Sequence, residues 1–235
     1  MTPKNALGKN TKQNRRRLTE KRDDASRALS WLMEEIDVKV DDLPNGIRMC
    51  LSNSRDFLAN AEILAERRHF RHCIGLIELA QEEMGKAQHF LDVFEDAILS
   101  GKRTASLAKR TFTKHLVKLA FTPKPWVLSP WVLSYSDKEY DLRSRFYSSG
   151  PILRERSFYV DLKQGQWLWG NPELEQEETT SFLVKELRID CEMIEAGLRT
   201  ALTAKEMIEK HGSGDKRTRE FIRKHFGRFK TTDQV

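Results

Sequence analysis

The sequence predicts a mainly α-helical protein, an antiparallel bundle of four or five helices with a small β-hairpin inserted before the last long helix. Three observations predict this fold. Apolar residues recur every three or four positions along several segments, most regularly from Phe70 to Ile98. Proline and glycine separate these segments. Two short runs rich in aromatic and apolar residues flank Gly165, which is typical of a hairpin.

The apolar spacing places each helix in order along the chain. The predicted helices cover residues 24–37, 47–67, 72–99, 105–121 and 181–211, and a short basic helix covers 216–226. A break is predicted at 43–46, because Pro44 and Gly46 both interrupt helices. Thr179 or Thr180 is the predicted N-cap of the long helix at 181–211.

Length and composition restrict the class of protein. The chain of 235 residues is long enough for one full core, predicted at 23–211 with an insertion at 122–178. The sequence contains no apolar run of 18 residues and no apolar signal segment at its start, so we expect a cytoplasmic protein without a membrane partner. The three cysteines form no Cys-x-x-Cys pair, which favours reduced core thiols and no metal site. No cofactor-binding motif is present, and no cofactor is expected.

Basic residues concentrate at the two ends of the chain, and the net charge is +6. The predicted tail at 1–22 contains Arg15, Arg16 and Arg17, and the C-terminal extension at 212–235 is also basic. Such ends attract phosphate backbones without reading sequence. The cations predicted to contact nucleic acid are Arg15, Arg16, Arg17, Lys114, Arg219, Arg223 and Lys224. The alternative is that these ends are disordered and only keep the protein in solution.

The helix at 72–99 contains the strongest candidate for a functional cluster. Glu82, Glu83 and Lys86 lie beside its apolar stripe, and Glu82 and Lys86 have the i,i+4 spacing of an ion pair. The next predicted helix contains a cationic run from Arg110 to Lys118. Two interpretations remain open for the acidic residues and Lys86. They form a functional cluster with the cations of the next helix, or they stabilise the bundle or an interface.

These segments resemble a known family. The residues from Ile77 to Lys86, Ile-Glu-Leu-Ala-Gln-Glu-Glu-Met-Gly-Lys, are similar to the Glu-Glu-Leu-Gly-Lys signature of the AbiV family of phage abortive-infection proteins. His115 and Lys118 match its His-x-x-Lys, and the segment from Arg154 to Asp161, followed by Trp167 and Pro172, resembles its hairpin. The segment from Ala61 to His72 also resembles the family pattern. The resemblance extends from about residue 50 to about residue 210.

The resemblance implies a helical bundle of the HEPN superfamily, and many of its members are metal-independent ribonucleases that act as dimers. Their motif is an Arg and a His separated by four to six residues, which Arg110 and His115 match. Glu82, Glu83, Lys86 and Lys118 would support the pair. Two further segments, Arg67 to His72 and Arg219 to His225, have the same spacing. Thr111 follows Arg110, where HEPN nucleases often carry Asn, Asp or His.

The residue types suit RNA cleavage. Histidine exchanges protons near neutral pH, and arginine binds a phosphate through two hydrogen bonds. On an ideal helix Arg110 and His115 would be about 140° apart, so they converge only if the helix starts near residue 110 or if a second subunit supplies one of them. This geometry favours a site shared between two subunits of a homodimer. Together with this chemistry, the resemblance to the AbiV family implies antiviral defence that acts on RNA or translation. The alternatives are a non-catalytic module that binds a phage protein or a translation component, and a structural adaptor unrelated to defence.

Overall fold

The computed structural model describes residues 35–108, 161–163, 166–168 and 175–227. The elements in this part of the chain are four strands, a single 3₁₀ turn and four helices. In chain order they are β1 (Glu35–Lys39), the 3₁₀ turn (Val40–Asp42), α1 (Leu43–Glu66), α2 (Phe70–Leu99), β2 (Thr104–Ala108), β3 (Asp161–Lys163), β4 (Gln166–Leu168), α3 (Glu177–His211) and α4 (Lys216–Phe226). The mainly helical fold with a small antiparallel hairpin is confirmed.

Helix α1 begins earlier than predicted, and the predicted break at 43–46 is wrong. Pro44 lies in the first turn, where its missing N–H has no intrahelical partner to lose. Gly46 lies inside the helix close to the ring of Phe90. Proline and glycine therefore mark the start of this helix rather than a loop.

A tight turn joins α1 to α2 and makes the two helices antiparallel. The His69 amide donates to the Leu64 carbonyl at 2.9 Å, and the Arg68 amide donates to Ala65 at 2.8 Å. This is the Schellman arrangement that satisfies the last carbonyls of a helix. Arg68 has a φ of 61°, a left-handed conformation that glycine adopts more easily. The predicted turn between the second and third helices is confirmed, and α2 ends at Leu99 as predicted.

Helix α3 packs against both α1 and α2. Ion pairs of Arg55 with Glu195 and of Glu62 with Arg188 run in opposite directions along α1 and α3, so these helices are antiparallel. Leu91 of α2 packs against Gly197 of α3. A Cβ atom added at Gly197 would come within 2.8 Å of the Cδ2 atom of Leu91. Cys73, near the start of α2, has a hydrogen bond to Thr180, near the start of α3. Helices α2 and α3 therefore run in the same direction.

The core lies between these three helices. Residues of the predicted apolar stripe of α2 are buried, and Phe70 at its start is half-buried. The largest fully buried side chains are Phe94, Ile47, Leu51, Leu58, Ile74, Ile77, Met84, Leu183, Leu187 and Ile194. Ser54 and Cys191 lie 3.4 Å apart within this core. The three cysteines are buried thiols, as predicted.

Two predicted helices are wrong where the structure describes them. Residues 35–37 belong to β1 and residues 105–108 belong to β2, and these two strands pair antiparallel with Ile36 opposite Leu107. The Val40 amide extends the contact by donating to the Arg103 carbonyl at 3.0 Å. Pairing between segments about 70 residues apart overrides the local helical spacing. The rest of both predicted helices, residues 24–34 and 109–121, lies outside the described residues.

The hairpin and the last two helices agree with the sequence in outline. Strands β3 and β4 pair around residues 164–165, as predicted. Helix α3 begins at Glu177 after the N-cap Gln176, so the prediction of Thr179 or Thr180 as the cap is wrong. The Thr180 hydroxyl instead donates to the carbonyls of Gln176 and Glu177. Helix α4 covers 216–226 as predicted, and its N-cap Asp215 accepts from the Thr218 amide at 3.0 Å.

None of the helices in the described ranges is long and apolar enough to cross a membrane. The predicted tail at 1–22 and most of the predicted insertion at 122–178 lie outside these ranges.

Candidate functional site

Helix α2 is buried on two sides, and the second side is polar. Glu78 is completely buried, and Gln81 and Glu82 expose 2% and 3% of their surface. At 100° per residue Glu78 and Glu82 lie on the side of α2 opposite Ala80 and Met84, and Gln81 lies between the two sides. Carboxylates are almost never buried so deeply unless they are paired. The polar side of α2 therefore has the burial expected of a site and not of a solvated helix face.

Glu83 and Lys86 form an ion pair on the edge of this polar side. Their side chains expose only 15% and 17% of their surface. The Lys86 ammonium donates to Oε1 of Glu83, so it pairs at i,i+3 and not with Glu82 at i,i+4 as the spacing predicted. Oε2 of Glu83 is buried and has no hydrogen-bond partner in the part of the chain that the structure describes. The structure thus brings Glu82, Glu83 and Lys86 together on one helix.

Helix α3 adds two buried acidic residues that the sequence did not mark as site residues. Glu186 exposes 6% of its surface and Asp190 exposes 1%. The contacts of Cys73 with Thr180 and of Leu91 with Gly197 place these two residues level with the middle of α2. The sequence signal that could have identified them is their i,i+4 spacing as an acidic pair within the apolar stripe of a long helix.

Four buried carboxylates, those of Glu78, Glu82, Glu186 and Asp190, thus lie at the same level of two parallel helices. Burial, together with the charge of Asp190, raises the pKa of Glu186 from 4.5 to about 7. Repulsion and desolvation of this kind are relieved by a bound proton or by a cation brought close. The arrangement is therefore suited to holding a guanidinium or ammonium group from another part of the protein.

The raised pKa of Glu186 predicts a pH-dependent stability. Between about pH 4.5 and 7 the folded protein retains a proton on Glu186 that the unfolded chain has released. This contribution to stability is complete below pH 4.5 and is lost as the pH rises through 7. We expect the free energy of unfolding of wild type to decrease over this range relative to that of Glu186→Gln, which cannot ionise.

Urea unfolding at intervals between pH 4.5 and 8 measures this difference. The difference between the unfolding free energies of the two proteins cancels the contributions of other titrating groups. One such group is His89, whose pKa is lowered by burial. Glu192→Gln, which changes an exposed carboxylate of the same helix, is the matched control. Parallel curves for wild type and Glu186→Gln would contradict the prediction.

The remaining predicted site residues fall into two groups. Arg219, Arg223 and Lys224 are exposed on α4. The others lie outside the described residues, and they are Arg15, Arg16, Arg17, Arg110, Lys114, His115 and Lys118. The structure therefore does not test whether Arg110 and His115 come together.

The other two Arg–His segments, 67–72 and 219–225, lie within the described residues. Their geometry is less typical of a catalytic site. Arg67 is exposed at the end of α1. Arg219 and His225 are six residues apart on α4, about 120° around the helix. The His225 ring packs on Phe221 with centroids 4.5 Å apart. Among the described residues, no group of His, Cys, Asp or Glu has the arrangement of a metal site.

Comparison with known proteins decides the family. The family model HEPN_AbiV, described as AbiV, matches residues 42–185, which run from the start of α1 into α3. The chain belongs to the AbiV family. The match begins somewhat earlier and ends earlier than the resemblance predicted, and it leaves α4 outside. No curated protein and no solved structure matches this AbiV-family chain. Membership of the family supports a role in abortive infection, a form of defence against phage.

Proposed function

We propose that this AbiV-family protein blocks phage multiplication by cleaving RNA in the cytoplasm without a metal ion. Arg110 and His115 are the catalytic residues in this proposal, and Glu82, Glu83, Lys86 and Lys118 support them. Two copies of the chain form the site, with Arg110 and His115 contributed by different subunits.

The observation that supports the proposal best is the buried polar side of α2. Glu78 and Glu82 lie at a depth where a carboxylate requires a cation or a proton. In the sequence, β2 ends at Ala108, and the cationic run from Arg110 to Lys118 begins two residues later. A guanidinium held by Glu82 or Glu83 would be oriented before substrate binds, and little entropy would then be lost on binding a phosphate.

The chemistry follows from the groups proposed. His115 accepts the proton of a ribose 2′-hydroxyl, and the 2′-oxygen attacks the adjacent phosphorus. The bond from phosphorus to the 5′-oxygen of the next nucleotide breaks, that oxygen takes up a proton from water, and His115 releases its proton to solvent. The products are a 2′,3′-cyclic phosphate and a 5′-hydroxyl. Arg110 stabilises the charge that develops on the phosphate oxygens, and Lys118 adds a point charge.

A second candidate function is a non-catalytic module that binds a phage protein or a component of the translation machinery. Thr111 favours it, because HEPN nucleases often carry Asn, Asp or His at that position. Threonine can still donate a hydrogen bond to a phosphate, but it provides neither a charge nor a base.

An RNA-cleavage assay in the presence of EDTA tests the proposal. We expect wild type to produce 2′,3′-cyclic ends and the variant Arg110→Ala/His115→Ala to leave the RNA intact. If wild type is inactive, the assay is repeated with an extract of infected cells, which supplies a phage trigger. Binding of RNA or of a phage protein without cleavage under both conditions would contradict the nuclease and support the binding module. Light scattering at micromolar concentration tests the dimer, and a monomer would contradict a shared site.

A further inference from the structure

Helix α4 is a basic helix fixed to the body of the protein. Thr218 is fully buried and Phe226 exposes 6% of its surface within the core cluster, and Phe221 and Ile222 pack partly against the same core. Asp215 caps the N-terminus of the helix. The apolar side of α4 is thus already used for packing, and the helix presents one constant side to solvent.

The solvent side of α4 is strongly cationic. Its exposed basic residues are Lys216, Arg217, Arg219, Arg223 and Lys224, and its exposed acidic residue is Glu220. Lys216, Arg219 and Arg223 have the spacing i, i+3, i+7, which aligns them in one row about 10 Å long. A row on a fixed helix holds its charges at constant separations along a polyanion.

These cations make no ion pair within the described part of the protein, whereas several cations of the bundle do. Arg55, Lys102, Arg188, Arg199 and Lys205 each form an ion pair with an acidic residue of the described bundle. No residue of α4 takes part in an ion pair with any described residue. A row of like charges that makes no ion pair raises the local potential and attracts an anionic partner.

The burial of α4 favours a nucleic acid over a membrane as that partner. A basic helix that binds a lipid surface inserts its apolar side between the headgroups. In α4 that side is occupied by the contacts of Thr218 and Phe226 with the core. What remains exposed is a charged row, which suits a phosphate backbone approached from one side.

We propose that the row formed by Lys216, Arg219 and Arg223 binds the phosphate backbone of single-stranded RNA without sequence preference. The row lies outside the part of the chain that matches the AbiV family, so this would be a property of this chain and not of the family core. The choice of RNA rests on the proposed function, whereas binding through α4 is measured independently of cleavage.

Fluorescence anisotropy with a single-stranded 2′-O-methyl RNA tests the inference on the full-length protein. This probe lacks the free 2′-hydroxyl and is not cleaved by the proposed chemistry. Affinity is measured at several salt concentrations between about 0.05 and 0.3 M. In this range the release of counterions from the RNA makes the affinity depend strongly on salt. The test variant is Lys216→Gln/Arg219→Gln/Arg223→Gln. The control Lys39→Gln/Arg48→Gln/Lys185→Gln removes the same charge from exposed positions elsewhere.

We expect the test variant to bind up to about 100-fold more weakly at 0.1 M salt, with a slope of log K against log salt that is about 2 smaller. The control should resemble wild type, and so should the charge-conserving variant Lys216→Arg/Arg219→Lys/Arg223→Lys. Equal losses in the test variant and the control, or no loss in either, would overturn the inference. Preferential binding of wild type to vesicles of anionic lipid, without RNA binding, would also overturn it.

The two proposals fail in different ways. Salt-dependent binding through α4 without cleavage of ordinary RNA would contradict the proposed function alone. Cleavage of ordinary RNA with unchanged binding by the α4 variant would contradict this inference alone.

Discussion

His115→Ala is expected to abolish protection of cells against phage while the protein stays folded. In the proposed reaction His115 removes the proton from the attacking 2′-hydroxyl. Loss of a general base slows catalysis by about 10² to 10⁴-fold. Purified His115→Ala should therefore cleave RNA at most at 1% of the wild-type rate, since about 100-fold is the smaller end of that range. The efficiency of plating measures protection, and thermal unfolding checks the fold.

Arg67→Ala is the matched control for this prediction. Arg67 begins another Arg–His spacing in the chain, and its side chain is exposed at the end of α1. We expect this variant to protect cells as well as wild type does. Full protection by a folded His115→Ala protein would contradict a catalytic role for His115.

Mixing two inactive variants tests whether the site is shared between subunits. A heterodimer of Arg110→Ala and His115→Ala subunits contains one intact site only if Arg110 of one subunit acts with His115 of the other. Equal co-expression makes about half of the dimers heterodimers, each with one intact site of two, and should then restore up to about a quarter of the wild-type activity. Failure of co-expression to restore any activity, with the heterodimer present, would place both residues of a site in one subunit.

Lys86→Met is expected to destabilise the protein by about 1–3 kcal/mol, because it leaves a charged carboxylate with little access to water. The side chain of Glu83 exposes 15% of its surface, and its Oε1 atom accepts from Lys86. Adding Glu83→Gln removes the unpaired charge, so the double variant should recover most of the lost stability. Urea unfolding of the two single variants and the double variant completes the cycle.

The double variant also decides between the two roles left open for these residues. If Glu83 and Lys86 only stabilise the bundle, restored stability should bring restored protection against phage. If they belong to the site, the double variant should be stable and still fail to protect. Lys102→Met is the control for the loss of an exposed pair, since Lys102 and Asp96 expose 59% and 63% of their side chains. Its expected cost is at most about 1 kcal/mol.

The long helices could be predicted from the sequence because their signal is local. The apolar stripe of α2 repeats every three or four residues, and burial of one helix face follows from that period whatever the partner. The basic helix α4 was found at the predicted residues. Family membership could also be predicted from the sequence, since the Glu-Glu-Met-Gly-Lys segment and its neighbours occur in the order typical of the family.

The strands β1 and β2 could not be predicted, because their pairing partner is distant in the chain. Residues 35–37 and 105–108 each fit a helical pattern when taken alone. Their extended conformation is stabilised by hydrogen bonds to each other, which a local pattern does not contain. The start of α1 was missed for a different reason, since Pro44 disrupts a helix interior but is tolerated in the first turn.

For the candidate site, too, some features could be predicted from the sequence and others could not. The sequence by itself determined the helical class, the AbiV family and the residue types available for chemistry, because periodicity and motif order depend only on neighbours along the chain. Only the tertiary structure decided that Lys86 pairs with Glu83, that Glu186 and Asp190 are buried level with the polar side of α2, and that the cations of α4 make no ion pair with a described residue. Burial and pairing are set by the helices that pack against a residue, and the parallel arrangement of α2 and α3 is specified by contacts between residues more than 100 positions apart.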